Sequence, residues 1–168
     1  TVVFQKTNTY TGQTYIHAGQ LIISNDARAG TGNINLGATN LAGASATNAL
    51  YLGTSGSSGG VTNTNAIFIN SGGGASTLGG NNTAGINTFS GPVTLNQGVT
   101  LSSASGGTLL FSGDISGSGG PAVTIGGAGT VALSSTTSGT DAAWSISSGA
   151  TLAIGNTRNL GANPAGYY

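Results

Sequence analysis

The segment VTLNQGVTLS, residues 93–102, contains the pattern that decides the fold. In each half, two apolar residues flank a threonine, and a small polar residue follows, either Asn96 or Ser102. Alternation of period two over so few residues predicts a short β-strand with one buried face, and Asn, Ser and Gly favour the turn that comes next. We therefore expect an all-β chain. The same unit recurs in segments 34–37, 50–53, 67–70, 93–96, 99–102, 109–112, 123–126, 131–134, 144–147 and 152–155.

The spacing of these units distinguishes a solenoid from other all-β folds. Matching apolar positions recur at Ile34, Leu50 and Ile67, with intervals of 16 (50 − 34) and 17 (67 − 50) in sequence number. Neighbouring strands elsewhere are only six to eight positions apart, as from Val93 to Val99 (99 − 93). An immunoglobulin-like sandwich would need longer alternating runs. We expect two such strands with their turns to form one coil of a parallel β-solenoid.

The composition agrees with a solenoid. The chain contains 32 Gly and no Cys, and only 4% of its residues are charged, against about 25% in an ordinary soluble domain. A disordered linker rich in Gly and Ser would lack the recurring Val, Ile and Leu, so we expect the chain to fold. In a solenoid, backbone hydrogen bonds join coils about 4.8 Å apart, and a surface of small polar residues is sufficient.

The charge balance argues against two classes of partner. Three basic and three acidic residues give a net charge of zero, which provides no field to attract nucleic acid or an anionic membrane. No apolar stretch approaches the roughly 20 residues of a membrane span. We expect neither nucleic-acid binding nor membrane insertion. Because Cys is absent, the sequence does not indicate the redox compartment.

Residues 8–23, NTYTGQTYIHAGQLII, resemble the autotransporter-associated β-strand repeat of bacterial surface proteins, which reads roughly N-T-Y-T-G-G-T-T-I-x-A-G-T-L-x-L. Gln13 replaces the usual second Gly, and Gln20 replaces the usual Thr. The segment 149–155 looks like the start of another such unit. The resemblance implies a right-handed parallel β-helix at the bacterial cell surface or outside the cell, serving as a stalk, an adhesin or a surface fibre. It implies no catalytic residues and no cofactor.

Both ends of the chain lack the features that would close a solenoid. In the family that residues 8–23 resemble, a Gly-rich lead-in precedes the repeat, and residues 164–168 contain no polar cap. We therefore expect residues 1–168 to form a single solenoid segment that is continued at both ends, either by more chain or by subunits stacked head to tail. The expected assembly contacts are Val2, Val3, Phe4, Tyr167 and Tyr168.

An enzyme is the alternative that needs the closest examination, because polysaccharide lyases and hydrolases also use parallel β-helices. Their sites need several carboxylates on one face. This chain has only Asp26, Asp114 and Asp141, with gaps of 88 (114 − 26) and 27 (141 − 114), which we interpret as solvated turn residues. The single histidine, His17, alternates with Ile16 and should point outward, without the companions that a metal ion needs. We predict no catalytic, metal or cofactor residues.

One short motif matches a hydrolase pattern. Residues 56–60, GSSGG, satisfy the G-x-S-x-G pattern of a nucleophile elbow. That elbow works only on a strand-turn-helix with triad partners, and a chain so rich in Gly and Ser matches the pattern by chance.

Two aromatic residues suggest a binding surface. Tyr51 and Phe68 occupy the middle of their apolar triplets and should point outward on successive coils. As an exposed stripe they could stack on sugars, or the Gly- and Ser-rich loop 53–60 could cover them. The sequence thus predicts a non-enzymatic structural protein that forms a surface stalk or a self-assembling filament. The alternatives are an adhesin that binds glycans or host ligands and, after it, a polysaccharide-degrading enzyme.

Overall fold

The computed structural model describes residues 1–24, 29–37, 46–137 and 139–161, and these form short β-strands without an α-helix. In chain order the strands are β1 (Val2–Phe4), β2 (Thr14–Ile16), β3 (Gly19–Ile23), β4 (Ile34–Leu36), β5 (Asn48–Leu52), β6 (Thr62–Asn63), β7 (Ile67–Ile69), β8 (Ser76–Gly80), β9 (Ile86–Phe89), β10 (Val93–Leu95), β11 (Val99–Ser103), β12 (Thr108–Phe111), β13 (Ile115–Gly117), β14 (Ala122–Gly127), β15 (Thr130–Leu133), β16 (Gly139–Thr140), β17 (Ala143–Ile146) and β18 (Thr151–Ile154). A single-turn 3-10 helix, η1 (Thr157–Leu160), follows β18. Within these ranges no helix has the length and apolar character needed to cross a membrane.

The strands form three sheets in which neighbouring strands are parallel. Sheet A contains β1, β3, β5, β8, β11, β14 and β17; sheet B contains β6, β9, β12, β15 and β18; and sheet C contains β2, β4, β7, β10, β13 and β16. From β5 onward the chain passes through sheets A, B and C in turn, so three strands make one coil. The coils stack into a parallel β-solenoid, which confirms the predicted fold class.

One inward column of sheet A shows how regular the stacking is. Strand pairing places Val2, Leu21, Leu50, Leu78, Leu101, Ile125 and Ile146 beside one another in that order. The steps in sequence number along this column are 19 (21 − 2), 29 (50 − 21), 28 (78 − 50), 23 (101 − 78), 24 (125 − 101) and 21 (146 − 125). The coil length therefore varies while the register of the column does not.

The prediction of two strands per coil is wrong. The interval from Ile34 to Leu50 joins sheet C to sheet A, and the coil partner of Ile34 is Ile67, an interval of 33 (67 − 34). The third strand was missed because β6 is only Thr62–Asn63, which has no apolar alternation. The strands that the alternating triplets predicted are all present, so the error concerns their grouping into coils.

Aliphatic and aromatic side chains fill the space between the three sheets. The inward residues of the inner coils are almost completely buried, as illustrated by Leu50 and Ile125, each 0% exposed. Phe89 of β9 and Phe111 of β12 stack inside the solenoid, with ring centroids 5.2 Å apart. Burial of side chains of this size contributes roughly 1.5–3 kcal/mol each. The core is thus a continuous stack of apolar side chains.

Buried asparagines satisfy the backbone where the chain turns a corner. Asn65 donates from Nδ2 to the carbonyl oxygens of Gly32, at 2.7 Å, and Gly30, at 3.2 Å, in the preceding coil. Asn87 donates to the carbonyl of Leu52 at 3.0 Å and accepts from the amide of Val61 at 3.0 Å. Because buried backbone groups outside a ladder still need partners, these amides do at the corners what strand pairing does within the sheets.

Candidate functional site

Asp114, directly before β13, binds the next coil. Its carboxylate accepts a hydrogen bond from the hydroxyl of Ser135 and another, at 2.6 Å, from Thr137 Oγ1. These two bonds, that from Ser135 first, hold the pKa of Asp114 below its ordinary value. The prediction of a solvated turn residue is therefore incomplete: the side chain is exposed, but it joins two coils at a corner of sheet C.

Asp141, directly after β16, binds the preceding coil in a different way. Its two carboxylate oxygens accept from the backbone amides of Gly119, at 3.2 Å, and Gly120, at 3.1 Å. Both glycines have positive φ, 85° and 66°, a conformation that Gly adopts without strain. Two successive amides in such a turn converge on one anion. The sequence gives a signal for this turn in Gly119–Gly120, but none for the carboxylate that fills it.

The two described carboxylates are not placed as a catalytic pair. In the pairing of β13 with β16, Ser116 lies opposite Gly139, so Asp141 is level with residue 118, four positions along the strand direction from Asp114 (118 − 114). At about 3.3 Å per residue this register places their Cα atoms roughly 13 Å apart, and the two carboxylates share no hydrogen-bond partner. Asp26 lies outside the described residues. Among the residues described, no three His, Cys, Asp or Glu side chains are grouped to hold a metal ion.

An exposed aromatic pair lies on the outer face of sheet C. Tyr15 of β2, 57% exposed, stacks on His17 with ring centroids 5.7 Å apart and planes inclined by 17°. The hydroxyl of Tyr15 donates to Gln13 Oε1 at 3.1 Å, and Asn35 Nδ2 donates to the same oxygen at 2.9 Å. The predicted outward position of His17 is confirmed. Tyr15 was missed, although its alternation with buried Ile16 indicated the same face.

The predicted aromatic stripe is wrong, because Tyr51 and Phe68 belong to different sheets. Tyr51 lies on sheet A between Ile22 and Gly79, whereas Phe68 lies on sheet C. Both side chains are half-buried. The Tyr51 ring lies over Gly79, where a side chain would collide with it. A glycine of the next coil thus provides the space for Tyr51.

The segment with the nucleophile-elbow pattern is a loop. Residues 56–60 connect β5 to β6, and neither of these strands is followed by a helix. Ser57 within it donates from its hydroxyl to Asn82 Oδ1 of the next coil at 2.7 Å. The loop therefore lacks the strand-turn-helix that the hydrolase motif requires.

The apolar column of sheet A is exposed at both of its ends. Val2 and Ile146 are each 57% exposed, although their inner neighbours Leu21 and Ile125 are 4% and 0% exposed. Ile154 of β18 is also exposed, at 45%. At the β1 end, a cavity of about 290 Å³ is lined by Val2, Phe4, Ile16 and Leu21, together with Tyr15 and His17.

Helix η1 covers part of the opposite end face. Trp144 Nε1 donates to the carbonyl of Leu160 at 3.1 Å, and Asn159 Nδ2 donates to the carbonyl of Ser135. A side chain at Gly161 would meet the carbonyl oxygen of Thr140 in β16, so the end of η1 lies against sheet C. The exposed positions Ile146 and Ile154 belong to sheets A and B.

The residues predicted as assembly contacts fall into two groups. Val2, Val3 and Phe4 form β1, the outermost strand of sheet A, with Val3 43% exposed on the outer face. Tyr167 and Tyr168 lie outside the described residues. A role of either group in assembly stays a prediction.

The remaining basic residues give no patch. Lys6 and Arg158 are exposed and lie near opposite ends of the sheets, and Arg28 is outside the described residues.

Comparison with protein-family models, with curated proteins and with solved structures finds no match for this chain.

Proposed function

We propose that this chain is a non-enzymatic structural protein, a β-solenoid rod that acts as a stalk or filament at the bacterial cell surface or outside the cell. The observation that carries the proposal is the apolar column of sheet A, which runs without interruption from Val2 to Ile146 and is exposed at both ends. A rod that is built in this way can be lengthened by further coils without any change in its construction.

The walls of the rod support a structural role. On sheet A, Thr77, Thr100, Thr124 and Ser145 form one outward column, and Ser145 donates to Thr124 Oγ1 at 3.2 Å. The two described carboxylates bind neighbouring coils of the same rod. Polar groups along these walls therefore stabilise stacking, which is the use expected of them in a structural solenoid.

The proposed location depends on the resemblance of residues 8–23 to the autotransporter-associated repeat. In the fold these residues contain β2 and β3, two strands of different sheets joined at one corner. The buried positions Ile16, Leu21 and Ile23 occupy the apolar frame of the repeat. Surface exposure is tested by treating intact cells that make the protein with protease: we expect cleavage, and complete protection until the cells are lysed would contradict the location.

Electron microscopy and fibre diffraction of the purified chain test the structural role. We expect a reflection at about 4.8 Å along the rod axis, and elongated particles wherever copies join end to end, because the seven strands of sheet A span only roughly 30 Å in one copy. Absence of that reflection would overturn the proposal. Release of reducing or unsaturated sugars from a panel of polysaccharides would overturn its non-enzymatic part.

A second candidate is an adhesin that binds glycans, and the exposed Tyr15–His17 pair favours it. Aromatic faces stack on sugar rings, and the amide of Gln13 lies within hydrogen-bonding distance of the Tyr15 hydroxyl. Binding to a glycan array that is lost in Tyr15→Ala and kept in Tyr51→Ala would favour the adhesin. Absence of binding by the unaltered chain would remove it.

A further inference from the structure

We infer that the partner of this rod is a second copy of the chain, bound head to tail so that β1 of one copy pairs in parallel with β17 of the next. The inference rests on the proposed structural role and names the partner in it. Such a contact joins two different surfaces and does not close on itself, so it produces a filament.

The register of the contact follows from sheet A. Each strand of that sheet adds one residue to the inward column. The column begins at Val2 and ends at Ile146. A strand added beyond β17 in the same register therefore places its Val2 opposite Ile146. Val3, one residue further along, then lies opposite Ser147.

Burial of apolar surface provides the driving force. Val2 and Ile146 are each 57% exposed at the two end faces, and the residues between them in the column are 4% exposed or less. The head-to-tail contact would give both residues the environment that Leu21 and Ile125 already have. Successive strands of sheet A pair in this register inside the rod, and a second copy would add one more such pair.

The end strands carry no charged residue and no proline that would protect a sheet edge from pairing. Proteins guard such edges with Lys, Pro or inward-pointing charges. Strands β1 (VVF), β17 (AWSI) and β18 (TLAI) contain none of these residues. The chain has a net charge of zero, so long-range repulsion between copies is also absent.

The shape of the end faces favours sheet A as the point of contact. At one end, η1 lies against sheet C and contacts Trp144 of β17, while Ile146 of β17 and Ile154 of β18 are exposed among the described residues. Among the described residues, β1 has a hydrogen-bonded neighbour on one side, β3, and it belongs to the same sheet as β17. A pair of β1 and β17 between two copies would therefore extend sheet A.

A disulfide between copies tests the register. In Val3→Cys/Ser147→Cys the two introduced thiols lie at the two ends of one copy, far from each other. Across the contact between two copies they face each other, and the Cα atoms of the two positions are about 4.8 Å apart. The chain contains no other Cys, so peptide mapping by mass spectrometry separates a disulfide between positions 3 and 147, which reports this contact, from disulfides between like positions. On mild oxidation we expect a ladder of covalent dimers and higher oligomers that a reducing agent removes.

The matched control moves one thiol by two positions. In Val3→Cys/Ser145→Cys the Cα atoms would be roughly 8 Å apart, from two residues of rise and one strand spacing, which exceeds the disulfide limit of about 7 Å. We expect several-fold less cross-linking at equal protein concentration. Equal cross-linking in both variants would show contact without this register and would overturn the inference.

Substitution of the apolar end residue tests the driving force. Ile146→Asp is compared with Ile86→Asp, because Ile86 is similarly exposed, at 52%, but lies on the outer face of sheet B. In sedimentation velocity, we expect the unaltered chain and Ile86→Asp to associate as the concentration rises, and Ile146→Asp and Val2→Asp to stay monomeric. Far-UV circular dichroism checks that each variant is folded.

The outcomes separate this inference from the proposed function. A monodisperse monomer at all concentrations that still gives the reflection of the coil spacing would overturn the self-association and leave the structural role standing. Absence of that reflection would overturn the structural role itself. Equal loss of association in Ile146→Asp and Ile86→Asp would show general adhesion of apolar side chains and would also overturn the inference.

Discussion

Phe89 and Phe111 stack across adjacent coils inside the solenoid, with ring centroids 5.2 Å apart and planes inclined by 22°. Both rings are buried, at 0% and 1% exposure. The two residues occupy paired positions of β9 and β12, and Leu133 and Ile154 continue the same column. The aromatic pair is therefore the bulkiest part of a column that begins at Asn63 of β6 and continues to Ile154 of β18.

Removal of one ring should destabilise the fold strongly. Phe111→Ala leaves a cavity between two coils, and we expect the free energy of unfolding to fall by about 3–5 kcal/mol. Phe68→Ala is the matched control, since Phe68 is half-buried on the outer face of sheet C and should cost much less. Urea denaturation followed by circular dichroism measures both. Equal losses would contradict the inward and outward assignment of the two rings.

A double-mutant cycle tests the contact between Tyr51 and Gly79. Gly79→Ala places a methyl group in the space that the Tyr51 ring occupies, and we expect a loss of about 1–3 kcal/mol from overpacking. In the Tyr51→Ala background the same change should be neutral or stabilising by up to about 1 kcal/mol, because Gly79 has ordinary strand geometry. A change of the same size in both backgrounds would show that the ring does not lie over Gly79.

Asn87→Leu tests the asparagines at the corners. Residues paired with or stacked beyond Asn87 include Leu109 and Val131, so the strand pattern alone favours an apolar residue there. The substitution leaves the amide of Val61 without its described acceptor, whereas the carbonyl of Leu52 keeps the bond from the Asn81 amide, and we expect a loss of about 1–3 kcal/mol. Exposed Asn96→Leu, the control, should change the unfolding midpoint little. A stabilised Asn87→Leu would contradict the proposed use of the amide.

The hydrogen bonds to Asp114 make the free energy of unfolding depend on pH in the acidic range. Since the folded state lowers the pKa of this carboxyl, the stabilisation is present above the ordinary Asp pKa of about 3.9 and is lost as pH falls through the lower folded value. Asp114→Asn should therefore reduce the slope of unfolding free energy against pH below about pH 4, and Thr137→Val should reduce it in part. An unchanged slope in Asp114→Asn would show that the hydrogen bonds do not affect the titration.

The strands that could be predicted from the sequence share one property. Each contains two apolar residues separated by one position, as in Ile67–Ile69 and Val93–Leu95, and both residues of the pair are buried except in β17 and β18. Strands such as Thr62–Asn63 and Gly139–Thr140 carry no such pair, and their strand conformation depends on pairing with the neighbouring coils. The parallel solenoid was therefore predictable, whereas the number of strands in each coil was not.

The contacts of the candidate sites could not be predicted from the sequence, because they depend on the number of strands in each coil. Asp114 binds Ser135 and Thr137, which lie 21 and 23 positions further on (135 − 114 and 137 − 114), one coil away. The shorter coil expected from two strands would place different side chains beside this carboxylate. The outward position of His17 needed only its alternation with Ile16, and that prediction is confirmed.

The constancy of the sheet A column across coils of different length has a mechanical consequence. A pull along the chain from one end would load the outermost coil first, because each coil is held mainly by the coils beside it. Release of the coil between Ile125 and Ile146, or of the one between Leu101 and Ile125, would free roughly 70–85 Å of extended chain. A solenoid of this kind would yield to tension in successive steps, each absorbing work, while the coils that remain keep their shape.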